Sequence, residues 1–231
     1  MKKQYVIIVA AGSGRRFGSP LPKQFCDLSG RPVLMHTVEA MHSALPEAEI
    51  LLVLHPDYIS FWTETCHRHS FSVPVTIVHG GETRSQSVRN ALMMAECTAY
   101  SEVYVHDGAR PLADISVVCP VAEALSSGSP AAIPAIPVTD SLRRTIGDNR
   151  SEAVDRSSYV AVQTPQGFRG DIISRAYAEA DTATDDATLV QSVFPDIPIT
   201  ITQGAPYNIK ITSPHDIAVA ETLINLRSNR I

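Results

Sequence analysis

Short β-branched runs alternate along the chain with segments of helical period. Val6–Val9, Ile50–Leu54, Val75–Val78, Val103–His106, Ala131–Ile136 and Ile199–Thr202 are predicted strands. They are nearly all apolar rather than alternating, the pattern of strands covered by helices on both faces. Between them, Val33–His42, Ile59–His69, Ser85–Ala95, Ile115–Ser126, Asp171–Ala180 and His215–Leu226 are predicted helices. The last is preceded by Thr212-Ser213-Pro214, where Ser213 can cap and Pro214 can take the first helical position. Strand–helix alternation of this kind implies an α/β domain with a mostly parallel sheet and right-handed crossovers.

One stretch breaks the rhythm. From Pro137 to about Tyr159 the chain is polar, carries Asp140, Arg143, Arg144, Asp148, Arg150, Asp155 and Arg156, and has little helical period. A loop this long is either functional or disordered. A β-hairpin turning near Gly147-Asp148-Asn149 fits, because glycine and asparagine tolerate such turns. A projecting hairpin could grip a second subunit; the alternative is a floppy insertion.

Composition narrows the class. With 44% hydrophobic and 19% charged residues the chain is not disordered, and 231 residues are enough for one large domain, expected here to span 1–231. The 19 basic and 24 acidic side chains give a net charge of −5, so nucleic acid is not expected as a partner, and any phosphate binding needs a local cluster of cations. Cys26, Cys66, Cys97 and Cys119 show no metal-ligand spacing and read as thiols in a reducing compartment. No apolar run approaches the ~20 residues that span a bilayer. Met1-Lys2-Lys3-Gln4 before Tyr5–Ala11 superficially looks like a leader, but the apolar stretch is short and runs into Gly12-Ser13-Gly14-Arg15-Arg16 rather than a cleavage site. A cytoplasmic protein without a membrane partner is expected. Because the chain ends soon after its last predicted helix, a fused partner enzyme is not.

The strongest chemical signal is Val9-Ala10-Ala11-Gly12-Ser13-Gly14-Arg15-Arg16-Phe17-Gly18, followed by Pro22-Lys23-Gln24. It leaves the first strand, at the carboxyl end where open α/β sheets bind ligands. Its glycines let the backbone approach an anion, and Arg15, Arg16 and Lys23 place up to three cations around one loop. Together they make a polyphosphate cradle. No P-loop string occurs, and the dinucleotide fingerprint fails because Gly18 comes one place late and the second strand ends in Leu54-His55-Pro56 without its acid. The cations favour a nucleoside triphosphate.

Ala10-Ala11-Gly12-x-Gly14-x-Arg16 with Pro22-Lys23-Gln24 resembles the signature of the sugar-phosphate nucleotidyltransferases. Later strings narrow the resemblance to the 2-C-methyl-D-erythritol 4-phosphate cytidylyltransferase family of the non-mevalonate isoprenoid pathway. They are Gly80-Gly81-Glu82-Thr83-Arg84-x-x-Ser87-Val88, His106-Asp107-Gly108-Ala109-Arg110-Pro111, Val138-Thr139-Asp140-Ser141 and Val154-Asp155-Arg156. Gln163-Thr164-Pro165-Gln166, Thr184-Asp185-Asp186-Ala187 and Asn208-Ile209-Lys210-Ile211-Thr212 complete the series, in family order from residue 5 to about 220.

The resemblance implies a Rossmann-like three-layer α/β/α fold with a hairpin arm at about 137–159 used in dimerisation, and transfer of CMP from CTP to the phosphate of 2-C-methyl-D-erythritol 4-phosphate. It implies Arg16, Lys23 and Lys210 as the catalytic cations, with Lys210 near the end of a late strand and Arg15 a possible auxiliary. Ala11, Gly12, Gly14, Arg15, Gly81, Glu82, Ser87 and Asp107 would hold the nucleotide, the Gly80-Gly81-Glu82 turn and the Ser87 hydroxyl reading cytosine. Asp107, Arg110, Ser141, Arg156, Thr164, Thr184 and Asp185 would meet the acceptor, with Ser141 and Arg156 reaching a neighbouring subunit. Asp107 could hold Mg²⁺, otherwise carried by the CTP phosphates, or the ribose; a structural ion pair with Arg110 is the competing reading.

The chain departs from the family's pattern in places. Ser141 stands where many relatives have threonine, Tyr207 where some have an acid, and Gly108 where alanine is common, a change expected to matter little. His106 is expected to be structural. A cytidylyltransferase for another polyol phosphate, such as ribitol 5-phosphate, shares most motifs. A non-catalytic nucleotide-binding module would be expected to have lost a cation, and Arg16, Lys23 and Lys210 are all present.

Overall fold

Four successive residues of the first strand, Tyr5, Val6, Ile7 and Ile8, are buried and divide between two apolar cores. Tyr5 and Ile7 point to one face and Val6 and Ile8 to the other, as the two-residue repeat of a strand requires. A computed structural model describes residues 2–12, 17, 21–180 and 183–228. In chain order, β1 (Lys3–Ala10) precedes a small antiparallel pair, β2 (Asp27–Leu28) and β3 (Arg31–Pro32), then α1 (Val33–Ala44), β4 (Glu49–Leu54) and α2 (Ile59–Arg68). Next come β5 (Thr76–His79), α3 (Arg84–Leu92), β6 (Ser101–Asp107), α4 (Ile115–Ser126), β7 (Ala131–Pro137), β8 (Arg143–Thr145) and β9 (Ser151–Ala153). The chain continues through β10 (Val160–Val162), β11 (Gln166–Arg169), α5 (Gly170–Glu179), α6 (Asp186–Val193), β12 (Ile199–Gln203) and α7 (Pro214–Ser228).

The main sheet runs β10-β7-β11-β6-β1-β4-β5, with β12 also paired to β7. The β1–β4, β1–β6, β4–β5 and β7–β12 pairs are parallel; β11 and β10 pair antiparallel to their neighbours. Leu34, Met35, Val38, Trp62, Val118 and Val121 of α1, α2 and α4 cover one face. Val88, Leu92, Ile172, Ile173, Leu189 and Val190 of α3, α5 and α6 cover the other. The fold is thus a Rossmann-like α/β/α sandwich. After β5 the chain returns to lay β6 on the opposite side of β1, so the strand order reverses there, the switch point at which such sheets open a crevice.

Each predicted strand and helix is present with shifted ends, and α4 matches its predicted limits. The sequence pattern misses β2, β3, β10, β11 and α6. Pro214 opens α7 as expected, with Ser213 just before it, and the Asp216 carboxylate accepts the N–H groups of Thr212 and Ser213 at 2.7 and 2.8 Å. The predicted arm is a hairpin, β8 against β9, that forms its own two-stranded sheet. Its turn places Gly147, Asp148 and Asn149 at φ of 84°, 47° and 57°, the left-handed region that these residue types tolerate. A floppy insertion is therefore not what this stretch forms. No helix among the described residues is long and apolar enough to cross a membrane.

Candidate active site

At the carboxyl edge of β6, β1, β4 and β5 lies a cleft of about 840 Å³. Ala11 and Gly12 enter it after β1, His55 after β4, Gly81, Glu82 and Thr83 after β5, and Asp107 at the end of β6. Lys23 and Gln24 come from a 3-10 turn at Lys23–Phe25, and Lys210 and Thr212 from the segment before α7. Gln24 is buried and donates from Nε2 to the carbonyls of Ala10 (2.7 Å) and Gly12 (3.0 Å), fixing the exit of β1. Lys23 Nζ donates to the Ile211 carbonyl at 2.7 Å, while the Ile211 N–H donates to Ala109 at 2.8 Å. The 208–212 segment is thereby laced to both cation-bearing loops. Lys210 is not on a strand, because β12 ends at Gln203; it rides this laced segment instead.

Asp107 is the electrostatic centre. Its Oδ2 lies 2.9 Å from Lys210 Nζ and 3.5 Å from Arg110 Nε, and its Oδ1 lies 3.9 Å from Arg84 Nε. Burial alone would push its carboxyl up, but Lys210, Arg84 and Arg110 outweigh that and hold it well below the usual range. It is therefore ionised. The backbone beneath it is locked by an oriented chain. The Arg110 carbonyl can only accept, so His106 Nε2 carries the proton that bridges to it at 3.1 Å. His106 Nδ1 then accepts from the Thr164 hydroxyl at 2.9 Å, and that oxygen accepts the Asp107 N–H at 3.2 Å. Full burial pushes His106 down to about 4, so the ring is neutral and structural.

At the other end of the cleft the glycine turn is braced by α3. A Cβ on Gly80 would sit 2.2 Å from the Ala11 Cβ, so only glycine lets β5 exit this close to the β1 loop. Thr83 caps α3 by accepting the Gln86 N–H at 3.0 Å. Ser87 is buried; its hydroxyl accepts the Gly81 N–H at 3.0 Å and donates to the Thr83 carbonyl at 2.9 Å. Arg84 grips Asp186 with two parallel bonds of 2.8 and 2.7 Å. Burial works against the Arg84 charge, and Asp186 and Asp107 more than reverse it.

Of the residues expected from sequence, Ala11, Gly12, Lys23, Gly81, Glu82, Ser87, Asp107 and Lys210 converge on this cleft. Gly14, Arg15 and Arg16 lie outside the described residues. Arg110 is turned away from the lining, with Nη1 donating to the Asn208 carbonyl at 2.7 Å. Thr164 is buried with its hydroxyl engaged as above, and Asp185 caps α6 by accepting the Thr188 N–H at 2.8 Å and Gln166 Nε2 at 2.9 Å. Thr184 meets Thr188 at 3.5 Å. Ser141 is exposed on the arm, and Arg156 stands at a second cavity of about 500 Å³ at the arm's base, donating to the Thr139 carbonyl. Gln24, His55 and Arg84 also line the main cleft. Gln24 and Arg84 sit inside the motifs quoted above, and His55 directly follows a strand on the ligand edge. Among the described residues no group of three or more His, Cys, Asp or Glu side chains forms a metal cage. A single carboxylate lining the cleft, its Oδ1 less crowded by cations than its Oδ2, suits a Mg²⁺ ion that keeps its waters and leans on phosphates.

A family model described as IspD, 2-C-methyl-D-erythritol 4-phosphate cytidylyltransferase, matches residues 4–226. The enzyme of that description from Bacteroides thetaiotaomicron is 41% identical over 96% of this chain and 100% of its own length. The one from Porphyromonas gingivalis is 40% identical over 96% and 98%. The crystal structure of 4-diphosphocytidyl-2C-methyl-D-erythritol synthase from Anaerococcus prevotii superposes with a TM-score of 0.83 at 27% identity, covering 97% of this chain and 96% of that one. The cytidylyltransferase from Thermus thermophilus does so at 0.75 and 32%, covering 97% and 100%. A match of that extent, together with a cation-lined cleft at the switch point, leaves one assignment: the chain belongs to the 2-C-methyl-D-erythritol 4-phosphate cytidylyltransferase family and is a cytidylyltransferase.

Proposed function

We propose that the protein transfers CMP from CTP to the phosphate of 2-C-methyl-D-erythritol 4-phosphate, giving 4-diphosphocytidyl-2-C-methyl-D-erythritol and pyrophosphate for isoprenoid precursor synthesis in the cytoplasm. A phosphate oxygen of the acceptor forms a bond to the α-phosphorus, the bond to the bridging oxygen of the β-phosphate breaks, and that electron pair leaves with pyrophosphate. The nucleophile is already an anion at neutral pH, so no base is needed. The task is to hold two anions together and stabilise charge on the transferring group, which is positioning and electrostatics. The carrying observation is that Lys23, Lys210 and Asp107 share one cleft with the braced glycine turn. Lys23 and Lys210, with Arg16, neutralise the α-phosphate; Ala11, Gly12, Gly14 and Arg15 line the phosphates.

The Gly81–Glu82 turn takes the cytosine edge, with Ser87 stiffening the turn. A carbonyl there suits cytosine, whose exocyclic amine donates where uracil accepts. Asp107 is suited to a Mg²⁺ ion arriving with CTP, which when bound supplies further charge neutralisation to the phosphates. The arm acts in a homodimer, carrying Ser141 and Arg156 to the neighbour's acceptor, where the planar arginine fork binds phosphate bidentately. The test is incubation with CTP, Mg²⁺ and a panel of polyol phosphates, with the nucleotide product identified by mass. Product formed only from another polyol phosphate, such as ribitol 5-phosphate, would reassign the acceptor. CTP binding without pyrophosphate release under any acceptor would defeat the reading.

A further inference from the structure

Asp186 opens α6, is fully buried, and has no part in the reaction as described. Its Oδ1 accepts from Arg84 Nη1 at 2.8 Å and from the Tyr177 hydroxyl at 2.5 Å, and its Oδ2 accepts from Arg84 Nη2 at 2.7 Å. A guanidinium is a rigid planar fork, so fixing both terminal nitrogens also fixes where Nε points. Here Nε points toward Asp107 Oδ1 but stops at 3.9 Å, beyond hydrogen-bond reach. The other oxygen of Asp107 holds Lys210 at 2.9 Å. Two carboxylates therefore divide the cations: Asp186 takes Arg84, and Asp107 is left for Lys210 at 2.9 Å and Arg110 at 3.5 Å.

We infer that Asp186 is a positioning residue of the transfer reaction, holding Arg84 off Asp107 so that Asp107 can aim Lys210 into the cleft. Without the Asp186 charge, Arg84 would be a half-buried cation beside one remaining carboxylate. A bidentate arginine pair outcompetes a lysine contact, so Arg84 would claim Asp107 and release Lys210. The inference rests on the reading of Lys210 as a phosphate-facing cation. It also joins two sequence strings that sit far apart, Thr83-Arg84 and Asp185-Asp186, whose side chains meet beneath the cleft. A purely structural role, pinning α6 to α3, would affect melting but not Lys210.

The test is a double-mutant cycle on the full chain with Asp186→Asn, Lys210→Ala and the pair, read as kcat and KM for CTP and accompanied by thermal unfolding. Asp186→Asn should lower kcat by ~10–100-fold, the scale of a small misplacement of a reacting group. In the Lys210→Ala background it should cost less than ~2-fold, because the two changes act on one element. Equal losses in both backgrounds overturn the inference. Tyr177→Phe, which removes one bond to Asp186 without changing charge, should follow the same pattern at smaller amplitude, and it serves where Asp186→Asn does not fold. A second readout needs no turnover. Acylation of Lys210 by a small amine reagent, mapped by mass against the other lysines, should speed up by roughly threefold or more in Asp186→Asn or Tyr177→Phe, since an amine no longer held 2.9 Å from Asp107 is freer to meet the reagent. Unchanged Lys210 labelling overturns the inference whatever the acceptor proves to be. Wild-type protein that turns over no polyol phosphate strikes the reaction assignment alone.

Discussion

Acidification should unlock the floor of the cleft through His106. The ring is neutral, donates from Nε2 to Arg110 and accepts at Nδ1 from Thr164, and a second proton on Nδ1 would have to reverse that bond to the Thr164 hydroxyl. Burial first, with the nearby Arg110 charge, pushes it from 6.5 down to about 4. The unfolded chain takes up this proton near 6.5, but the folded protein does not until about 4. Between those values the unfolded state binds more protons, so stability is fully present above the upper one and is lost as pH falls toward the lower. At 1.36 kcal/mol per unit the full loss is about 3 kcal/mol, of which about 2 kcal/mol is gone by pH 5. Burial also lowers His36, which adds to the same slope, so the contribution of His106 must be isolated by substitution. The depressed Asp107 carboxyl acts in a separate window: its share of stability is present above about pH 4 and is lost only below it. Urea unfolding of the wild type and of His106→Gln at pH 8, 7, 6 and 5 supplies the comparison, because the amide can still donate to Arg110 but cannot titrate. The wild type should lose about 2 kcal/mol more than the variant between pH 8 and pH 5. Parallel pH dependences would refute both the neutral ring and the chain of hydrogen bonds beneath Asp107.

Lys23→Ala should lower turnover by ~10²–10³, the usual effect of losing one preorganised donor, and near-normal steady-state rates would remove Lys23 from the mechanism. Gly108→Ala places a Cβ 2.8 Å from the Ala10 Cβ and 3.0 Å from the Val9 carbonyl, so the exchange is not the small change expected from the sequence. It should cost ~1–3 kcal/mol by overpacking, and an unchanged urea midpoint would contradict that. If the arm acts in trans across a two-fold dimer, mixing Lys23→Ala with Arg156→Ala chains should restore about a quarter of wild-type activity, since half the dimers are hybrids with one intact site each. No rescue after verified subunit exchange would count against trans supply.

β1, β4, β6 and β7 are legible because they are largely buried on both faces and read as near-continuous apolar runs. β11 is not, because it consists of Gln166, Gly167, Phe168 and Arg169 and takes its stability from tertiary partners. Gln166 is buried and polar, accepting the Ala187 N–H at 2.9 Å while donating to Asp185. β10 is three exposed residues on an edge, too short for a pattern. α6 was hidden by its own motif: Thr184-Asp185-Asp186-Ala187 reads as site chemistry, although Asp185 three places before Thr188 is also an N-cap spacing. The cleft itself was largely legible, since Lys23, Gly81, Asp107 and Lys210 each sit in a string with a chemical reason. What sequence could not give is pairing at a distance. Whether Asp107 meets Arg110 alone or Lys210 as well, and whether Arg84 faces Asp107 or Asp186, depends on how separate loops stack at one sheet edge.

That stacking explains why an anion-binding cleft keeps a carboxylate at its heart. Lys210, Arg84 and Arg110 crowd within 3.9 Å of Asp107, and with no anion present their mutual repulsion would scatter the long side chains. A charge pair at about 4 Å is worth roughly 4 kcal/mol at an effective dielectric of 20, enough for Asp107 to keep the cations oriented. Asp107 and Asp186 together still leave the three cations one positive charge in excess, with Lys23 adding another at the neighbouring loop. A chain whose net charge is −5 thus presents a local positive field where the β1 and β6 loops meet. A polyphosphate can replace Asp107 as the partner of Lys210 without moving the backbone, because Lys23, Ile211 and Ala109 already tie those loops together. The reorganisation that water would demand of free ions has then been completed during folding, which is the condition for electrostatic stabilisation of a transferring phosphoryl group.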